Sequence, residues 1–177
     1  MATKSKTKET RAAERKSARS QNAKSKSERG AAPNAVELLE QDHREVEDLF
    51  EEFEKARDKK RKGELATKIC MELTIHARIE EEAFYPRARQ ATKDDDLIDE
   101  SLVEHANVKR MVAEIEEMDP GDDLFDAKVR VLSEMVQHHV KEEEEELFPE
   151  LKGKMDLEAV GKELARKKEN MLAELQE

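Results

Sequence analysis

Hydrophobic residues recur at steps of three and four along most of the chain beyond residue 34. This spacing places them on one face of an α-helix, which has about 3.6 residues per turn. Five such stripes can be traced, and four of them carry a histidine near the middle. Their members are Val36, Leu39, His43, Val46, Phe50 and Phe53; Ile69, Leu73, His76, Glu80 and Phe84; Ile98, Leu102, His105, Val108, Val112 and Ile115; Val129, Leu132, Val136, His139, Glu143 and Leu147; and Leu157, Val160, Leu164, Met171, Leu172 and Leu175.

Polar residues mark where three of these helices begin. Asn34 is followed three residues later by Glu37, which is the spacing of a capping box at a helix N-terminus. The acidic residues 94–96 open the third helix, and Asp156 precedes the fifth. The sequence therefore predicts helices that start at or just after these positions.

Glycine and proline mark the predicted ends. Residues 59–63 predict the end of the first helix and a turn, and residues 119–121 predict a second turn. Pro86 is expected to stop or kink the second helix, and Pro149 to end the fourth.

These elements predict an all-α fold. Four long helices with short connections favour an up-down-up-down four-helix bundle, across which the weaker fifth helix can lie. Aromatic residues make up only 3% of the chain and charged residues 44%, which suits helices with solvated outer faces better than sheets. We expect the bundle to span residues 35–152, with a C-terminal amphipathic helix within 153–177 packed on it.

The charge is distributed unevenly along the chain. Residues 1–34 carry ten Lys and Arg but three Asp and Glu, whereas the whole chain has a net charge of −11. This segment lacks hydrophobic periodicity, so we predict a disordered basic tail. It could serve as an arm for nucleic acid, or as a solubilising leader or an arm that folds back on the acidic body. The absence of interleaved aromatics favours the second group.

Composition also bears on location and redox chemistry. No apolar run approaches the ~20 residues needed to cross a bilayer, and the charged N-terminus does not resemble a secretory signal. We therefore expect a cytoplasmic protein without a membrane partner. Cys70 is the single cysteine, which excludes an internal disulfide and a thiolate cluster, and we expect it to be a small core residue.

The chain contains an internal repeat built on an HxxxE motif. In each copy a glutamate follows a histidine by four residues and a proline follows it by ten, while a lone histidine lies 33 or 34 residues upstream. The two copies are His43, His76, Glu80 and Pro86, and His105, His139, Glu143 and Pro149.

This repeat predicts a metal centre. Residues four apart share a helix face, so an imidazole and a carboxylate at this spacing can reach one ion. This donor set suits iron, manganese or zinc, and each carboxylate has two oxygens with which to bridge two ions. Without partners, burying these groups would cost several kcal/mol, taken as an order of magnitude. The candidate ligands are His43, His76, Glu80, His105, His139 and Glu143.

Several residues near the motifs are given other roles. His138 and Glu142 form a second HxxxE one residue out of register, but Pro149 and the first copy select His139 and Glu143, leaving His138 as a flanking group. Glu81, Glu82, Glu144 and Glu145 are interpreted as solvated or as outer partners of the ligands, and Phe50, Phe84, Tyr85 and Phe148 as core or rim packing. A position near the metals is the alternative for Tyr85.

The histidine and HxxxE pattern on four helices resembles the hemerythrin family in its HHE cation-binding form. The resemblance implies a non-haem di-iron centre with an oxo or hydroxo bridge. Carried over by residue, His43 and His76 hold one iron, His105 and His139 hold the other, and Glu80 and Glu143 bridge them.

The resemblance also implies a function. We expect a protein that binds or reacts with O2, peroxide or NO, in handling or sensing oxidative or nitrosative stress, with weak peroxide consumption as its enzymatic activity. Oxygen-carrying hemerythrins have another histidine four residues from the one on the third helix, where this chain has Ser101 and Lys109, so oxygen carriage is not expected. Iron storage, or a nucleic-acid-associated regulator using the basic tail, are the alternatives.

Overall fold

The computed structural model describes residues 33–92 and 95–175, and within these ranges every regular element is helical. The all-α prediction is therefore confirmed, while the predicted tail lies, but for Pro33 and Asn34, outside the described residues. The helices are α1 Ala35–Lys55, α2 Lys59–Ile79, α3 Tyr85–Thr92, α4 Asp96–Glu116, α5 Phe125–Glu142, α6 Phe148–Leu151 and α7 Leu157–Glu174. Two π-helical turns, Glu80–Phe84 and Glu143–Leu147, connect α2 to α3 and α5 to α6.

The helices pack in neighbouring pairs. Helix α1 lies against α2, α4 lies against α5, and α7 packs on α1 and α2. Their apolar faces form two clusters of buried residues, one around Phe84, Phe148 and Leu164 and the other around Phe53 and Leu132. Each large side chain buried in this way contributes roughly 1.5–3 kcal/mol to folding.

Two of the three predicted helix starts have a side-chain cap. The Asn34 side-chain oxygen accepts hydrogen bonds from the backbone N–H groups of Val36 and Glu37, and the Glu37 carboxylate accepts one from the Asn34 N–H at 3.0 Å. Asp156 caps α7 by accepting from the Ala159 N–H at 3.0 Å. The capping box predicted at Asn34 is confirmed, and α7 begins directly after Asp156 as predicted. Helix α4 begins at Asp96 without a side-chain cap hydrogen bond from Asp95.

The predicted turn at residues 59–63 is wrong. Helix α2 already begins at Lys59, where the Asp58 side chain accepts a hydrogen bond from the Arg61 N–H. Gly63 therefore lies inside a helix, and its role is close packing: a Cβ at this position would lie 2.6 Å from Cγ of Pro120. The turn predicted at residues 119–121 is present, since the Asp122 N–H donates to the Asp119 carbonyl.

Proline does not stop the second helix. Helix α3 continues through Pro86 to Thr92 because the preceding turn widens: the Tyr85 N–H donates to the Glu80 carbonyl five residues earlier. A π turn accommodates a residue that lacks an N–H and whose ring crowds the carbonyl four residues before it. The same widening precedes Pro149, where the Phe148 N–H donates to the Glu143 carbonyl.

One predicted core position is also wrong. Leu102 is 37% exposed, and its neighbour Ser101 is buried at 7%. The predicted apolar position Leu175 is likewise exposed, whereas Cys70 is buried as expected. Within the part of the chain that the structure describes, no helix combines the length and apolar character needed to cross a membrane.

Candidate metal centre

All six side chains singled out by the repeat meet in the interior, between the two apolar clusters. The histidines come from α1, α2, α4 and α5, and Glu80 and Glu143 are the first residues of the two π turns. The Nε2 atom of each ring faces a glutamate oxygen. These distances are His43 to Glu143 3.3 Å, His76 to Glu80 3.1 Å, His105 to Glu80 3.3 Å and His139 to Glu143 3.5 Å.

Each glutamate lies between the two halves of the repeat. Glu80 approaches His76 of its own half and His105 of the other, and Glu143 approaches His139 and His43 in the same way. Donor atoms of His43, His76, Glu80 and Glu143 all lie within 4.8 Å of one another, and so do those of Glu80, His105 and His139. Glu80 thus belongs to both groups of donors.

Several of these buried atoms have no hydrogen-bond partner in the structure as described. They include His43 Nε2, both ring nitrogens of His76, Glu80 Oε1 and Glu143 Oε2. The short nitrogen–oxygen distances therefore lack hydrogen-bond geometry. A buried unpaired polar group costs about 1–3 kcal/mol. Imidazole and carboxylate donors arranged in this way fit a transition-metal cation such as iron, manganese or zinc.

The outward nitrogen of each histidine also faces a carboxylate. The Nδ1 distances are His43 to Glu144 2.8 Å, His76 to Asp42 3.6 Å, His105 to Glu81 3.1 Å and His139 to Glu104 2.8 Å. An acid at Nδ1 fixes the ring orientation and leaves Nε2 with its lone pair directed inward. Two of these acids, Glu81 and Glu144, fall in the group interpreted as solvated or outer partners.

The positions of these four acids in the sequence follow a pattern that the hydrophobic periodicity alone does not reveal. An acid stands directly before each lone histidine, as Asp42 and Glu104, and another directly after each HxxxE glutamate, as Glu81 and Glu144. Asp42 and Glu104 face a histidine of their own half, whereas Glu81 and Glu144 face one of the other half. The two halves are therefore related by an approximate twofold pattern.

Three of these acids have a cationic neighbour, and the fourth lies beside a histidine. Glu144 pairs with Arg44, Asp42 with Lys168 at 2.7 Å, Glu81 with Lys109 at 2.5 Å, and Glu104 lies 3.5 Å from His138. Lys109, four residues after His105, thus pairs with the acid that faces His105 and does not enter the group of buried donors. His138 is 63% exposed and also contacts Glu142, so it lies outside the buried cluster.

In the metal-free protein, the neighbouring carboxylates change the pKa values of the buried histidines, and the histidines change that of Glu80. Burial alone lowers the pKa of His76, but Glu80 and Asp42 outweigh it and raise this pKa to about 10. Burial also opposes a charged His139, yet Glu143 and Glu104 raise its pKa to about 8. Burial would raise the pKa of Glu80, but His76 and His105 hold it well below its usual range.

Tyr85 is part of the cluster, so its interpretation as core or rim packing is incomplete. Its hydroxyl donates to Glu143 Oε1 at 2.9 Å and lies 3.3 Å from His105 Nε2 and 3.4 Å from Glu80 Oε2. Burial and the charges of Glu143 and Glu80 raise the pKa of this phenol well above its usual range. The π turn before Tyr85 is what directs this residue toward the centre.

Tyr85 also breaks the twofold pattern. Its counterpart in the second copy is Phe148, whose ring stacks on His43 with centroids 6.0 Å apart. Ser101, four residues before His105, is buried, donates to the Leu97 carbonyl and interacts with Tyr85. The hydroxyl of Tyr85 therefore has no counterpart in the other half of the centre.

A small cavity adjoins the four histidines. Its volume is about 20 Å3, enough for roughly one water-sized molecule. Besides the histidines, apolar side chains make up much of its wall, including Val46, Leu73, Val108 and Val136. The space beside the centre therefore suits a diatomic or similarly small molecule.

Comparisons with known proteins identify a family. The family model described as the hemerythrin HHE cation binding domain matches residues 34–151. A curated relative from Nostoc sp., described as a DNA nickase, is 32% identical over 125 residues, which are 71% of this chain. They are 35% of that protein, so the chain spans about a third of its length.

A solved structure has the same fold. It is a hemerythrin HHE cation binding domain-containing protein from Mycobacterium kansasii, which superposes with a TM-score of 0.68 at 24% identity. The match covers 78% of this chain and 87% of that one.

Proposed function

Because this chain belongs to the hemerythrin HHE cation-binding family, we propose that it is a non-haem di-iron protein that binds or reacts with O2, hydrogen peroxide or nitric oxide. The observation that carries the proposal is the convergence of four imidazole Nε2 atoms and two buried carboxylates, several of them without hydrogen-bond partners among the described residues. In this proposal α1, α2, α4 and α5 form an up-down-up-down bundle around the centre.

The ligands divide by half of the repeat. In this proposal His43 and His76 would hold one ion, His105 and His139 would hold the other, and both ions would share Glu80 and Glu143. The position of each glutamate between one histidine of its own half and one of the other supports this division. The carboxylates at Nδ1 support it too, because they keep the rings in the tautomer that binds metal.

The surrounding residues restrict what the centre can bind. Two bound iron ions supply the electron-transfer chemistry toward dioxygen, peroxide or nitric oxide. The small volume and the largely apolar wall of the cavity favour small molecules such as these. The Tyr85 hydroxyl donates to the Glu143 carboxylate and stabilises its charge.

Iron loading tests the proposal. Protein loaded anaerobically with Fe2+ and freed of excess metal should retain about two iron ions per chain, given two imidazoles and two shared carboxylates for each. Addition of peroxide or nitric oxide should then change the optical spectrum, and peroxide should be consumed over repeated additions. A single tightly bound zinc ion with no second site would overturn the di-iron proposal. Iron retention without any spectral response or turnover would favour storage.

A second candidate function is association with nucleic acid. It is favoured by the relative described as a DNA nickase and by the basic composition of residues 1–34. The full chain should then be retained on DNA in a salt-dependent manner, and deletion of residues 1–34 should abolish the retention. A supercoiled plasmid incubated with the loaded protein tests for strand cleavage directly, and equal retention with and without residues 1–34 would contradict a role for this segment.

A further inference from the structure

Helix α7 lies beyond the part of the chain that the family model matches, which ends at residue 151. It nevertheless packs closely on α1. A Cβ at Gly161 would lie 2.6 Å from the carbonyl oxygen of Pro33 and 2.7 Å from the nitrogen of Ala35, so the two backbones are in direct contact there. This contact fixes the position of α7 along α1.

The same alignment brings a lysine to the metal centre. Lys168 follows Gly161 by seven residues, and Asp42 follows Ala35 by seven residues, about 10 Å along either helix. At this level Lys168 Nζ lies 2.7 Å from Asp42 Oδ1, with the carboxylates of Glu72 and Glu45 at 3.8 and 3.9 Å. The Lys168 side chain is only 18% exposed and that of Asp42 only 9%.

Asp42 connects this lysine to a candidate ligand. Its other oxygen, Oδ2, faces Nδ1 of His76 at 3.6 Å and has no hydrogen-bond partner among the described residues. A buried carboxylate needs a cation beside it to remain charged, and Lys168 provides that cation. Lys168 therefore acts on the charge and the orientation of the carboxylate that faces His76.

The other three orienting acids have their neighbours within the bundle. Arg44 of α1 pairs with Glu144, Lys109 of α4 with Glu81, and His138 of α5 lies beside Glu104. The cation of Asp42 comes from α7 instead. The half of the centre that contains His76 thus depends on a helix that lies outside the matched domain.

We propose that Lys168 is a positioning residue through which α7 sets the metal affinity of the His43 and His76 half of the centre. This rests on the proposed function, because it presumes that the centre binds two ions. Loss of the Lys168 charge should weaken the binding of one ion and leave the binding of the other unchanged. Removal of an outer partner of a ligand typically costs 10–100-fold in metal affinity, and we expect about tenfold because Lys168 acts through Asp42.

Cobalt titration tests this inference, since Co2+ bound to nitrogen and oxygen donors absorbs visible light. The wild-type full chain should bind two Co2+ ions tightly, and Lys168→Met should bind one of them about tenfold more weakly. Lys168→Arg, which keeps the charge, should restore most of the affinity. Lys167→Met is the matched control: Lys167 stands on the same helix but pairs with Glu82, and its loss should leave both ions unaffected.

A double-mutant cycle tests the route through Asp42. If Lys168 acts through Asp42, then Lys168→Met should add nothing to the loss caused by Asp42→Asn. Additive losses, equal weakening by Lys167→Met, or no rescue by Lys168→Arg would overturn the inference. Tight binding of two Co2+ ions by Lys168→Met would overturn it as well. A wild-type chain that binds fewer than two ions would overturn the proposed function itself, and circular dichroism of each metal-free variant separates loss of affinity from loss of the fold.

Discussion

At the scale of single residues, two adjacent histidines on α5 have opposite environments. His139 is buried between Glu104 and Glu143, whereas His138 is exposed and has only outer carboxylates beside it. We expect His139→Ala to abolish the metal-dependent optical signal and His138→Ala to leave most of it. Iron content and spectra of both variants, loaded side by side, test this. Equal losses, or loss only in His138→Ala, would show that the wrong face of α5 has been assigned to the centre.

Tyr85 gives a second prediction at this scale. Tyr85→Phe removes the donor to Glu143 Oε1 and makes this half resemble the one with Phe148. A buried acceptor left unpaired costs about 1–3 kcal/mol, so urea unfolding of the metal-free variant should show a loss of that size.

The metal content of Tyr85→Phe should not change, but the spectrum of the loaded protein should. Phe148→Tyr, which adds a hydroxyl at the corresponding position, serves as the comparison. An unchanged spectrum together with an unchanged free energy of unfolding would place Tyr85 among packing residues, as the sequence suggested.

The gathering of the six candidate ligands could be predicted because two constraints act on each of them. Helical periodicity puts each on an inward stripe, and the repeat fixes its register relative to a proline. Tyr85 carries no such double constraint: an aromatic residue on an apolar face is usually packing, and its hydroxyl partners come from π turns that a 3.6-residue period does not describe. Lys168 was missed because a lysine on an amphipathic helix is usually solvated.

At the scale of elements, the contact between α2 and the loop before α5 makes a sharp prediction. Replacing a glycine inside a helix by alanine normally stabilises by about 0.5–1 kcal/mol. At Gly63 the added methyl group would lie 2.6 Å from Pro120, so Gly63→Ala should instead destabilise by roughly 1–3 kcal/mol.

The control for Gly63→Ala is the same substitution in a Pro120→Ala background, where the clash is absent. There it should be neutral or stabilising, as measured by the free energy of unfolding. A stabilising effect of Gly63→Ala with Pro120 present would contradict the close contact.

Helix boundaries show where sequence signals fail at this scale. Side-chain caps such as Asn34 are local, since the donor and acceptor lie within three residues, and could therefore be predicted. Gly63 and Pro86 gave misleading signals because their meaning depends on distant partners or on a widened turn. A glycine marks a turn or a close approach, and only the folded structure distinguishes the two.

At the scale of the whole molecule, the buried charges predict how stability depends on pH. In the metal-free protein the pKa of His76 is raised from 6.5 to about 10, so its contribution is complete below pH 6.5 and declines as the pH rises toward 10. The pKa of Glu80 is lowered from 4.5, so its contribution is present above pH 4.5 and declines below it. The metal-free protein should therefore be most stable between about pH 4.5 and 6.5.

Metal should move this optimum upward, because protons compete with the ion for imidazole and carboxylate. Melting temperatures across pH 4–9, recorded with chelator and with iron, test both statements. A metal-free protein that gains stability from pH 6.5 to 9, or a melting temperature that is independent of metal at neutral pH, would contradict a buried central site.

The exchange of carboxylates between the two halves bears on how such a chain can arise. Glu81 of the first half holds His105 of the second, and Glu144 of the second holds His43 of the first, so neither half can complete its own set. Two identical copies facing each other across a twofold axis would complete one another, because such an interface makes the same contacts in both directions. In these contacts the chain is equivalent to a homodimer whose subunits have been joined end to end. The two halves of a single chain can differ in sequence, whereas the subunits of a homodimer cannot. Tyr85 in one half and Phe148 in the other are such a difference.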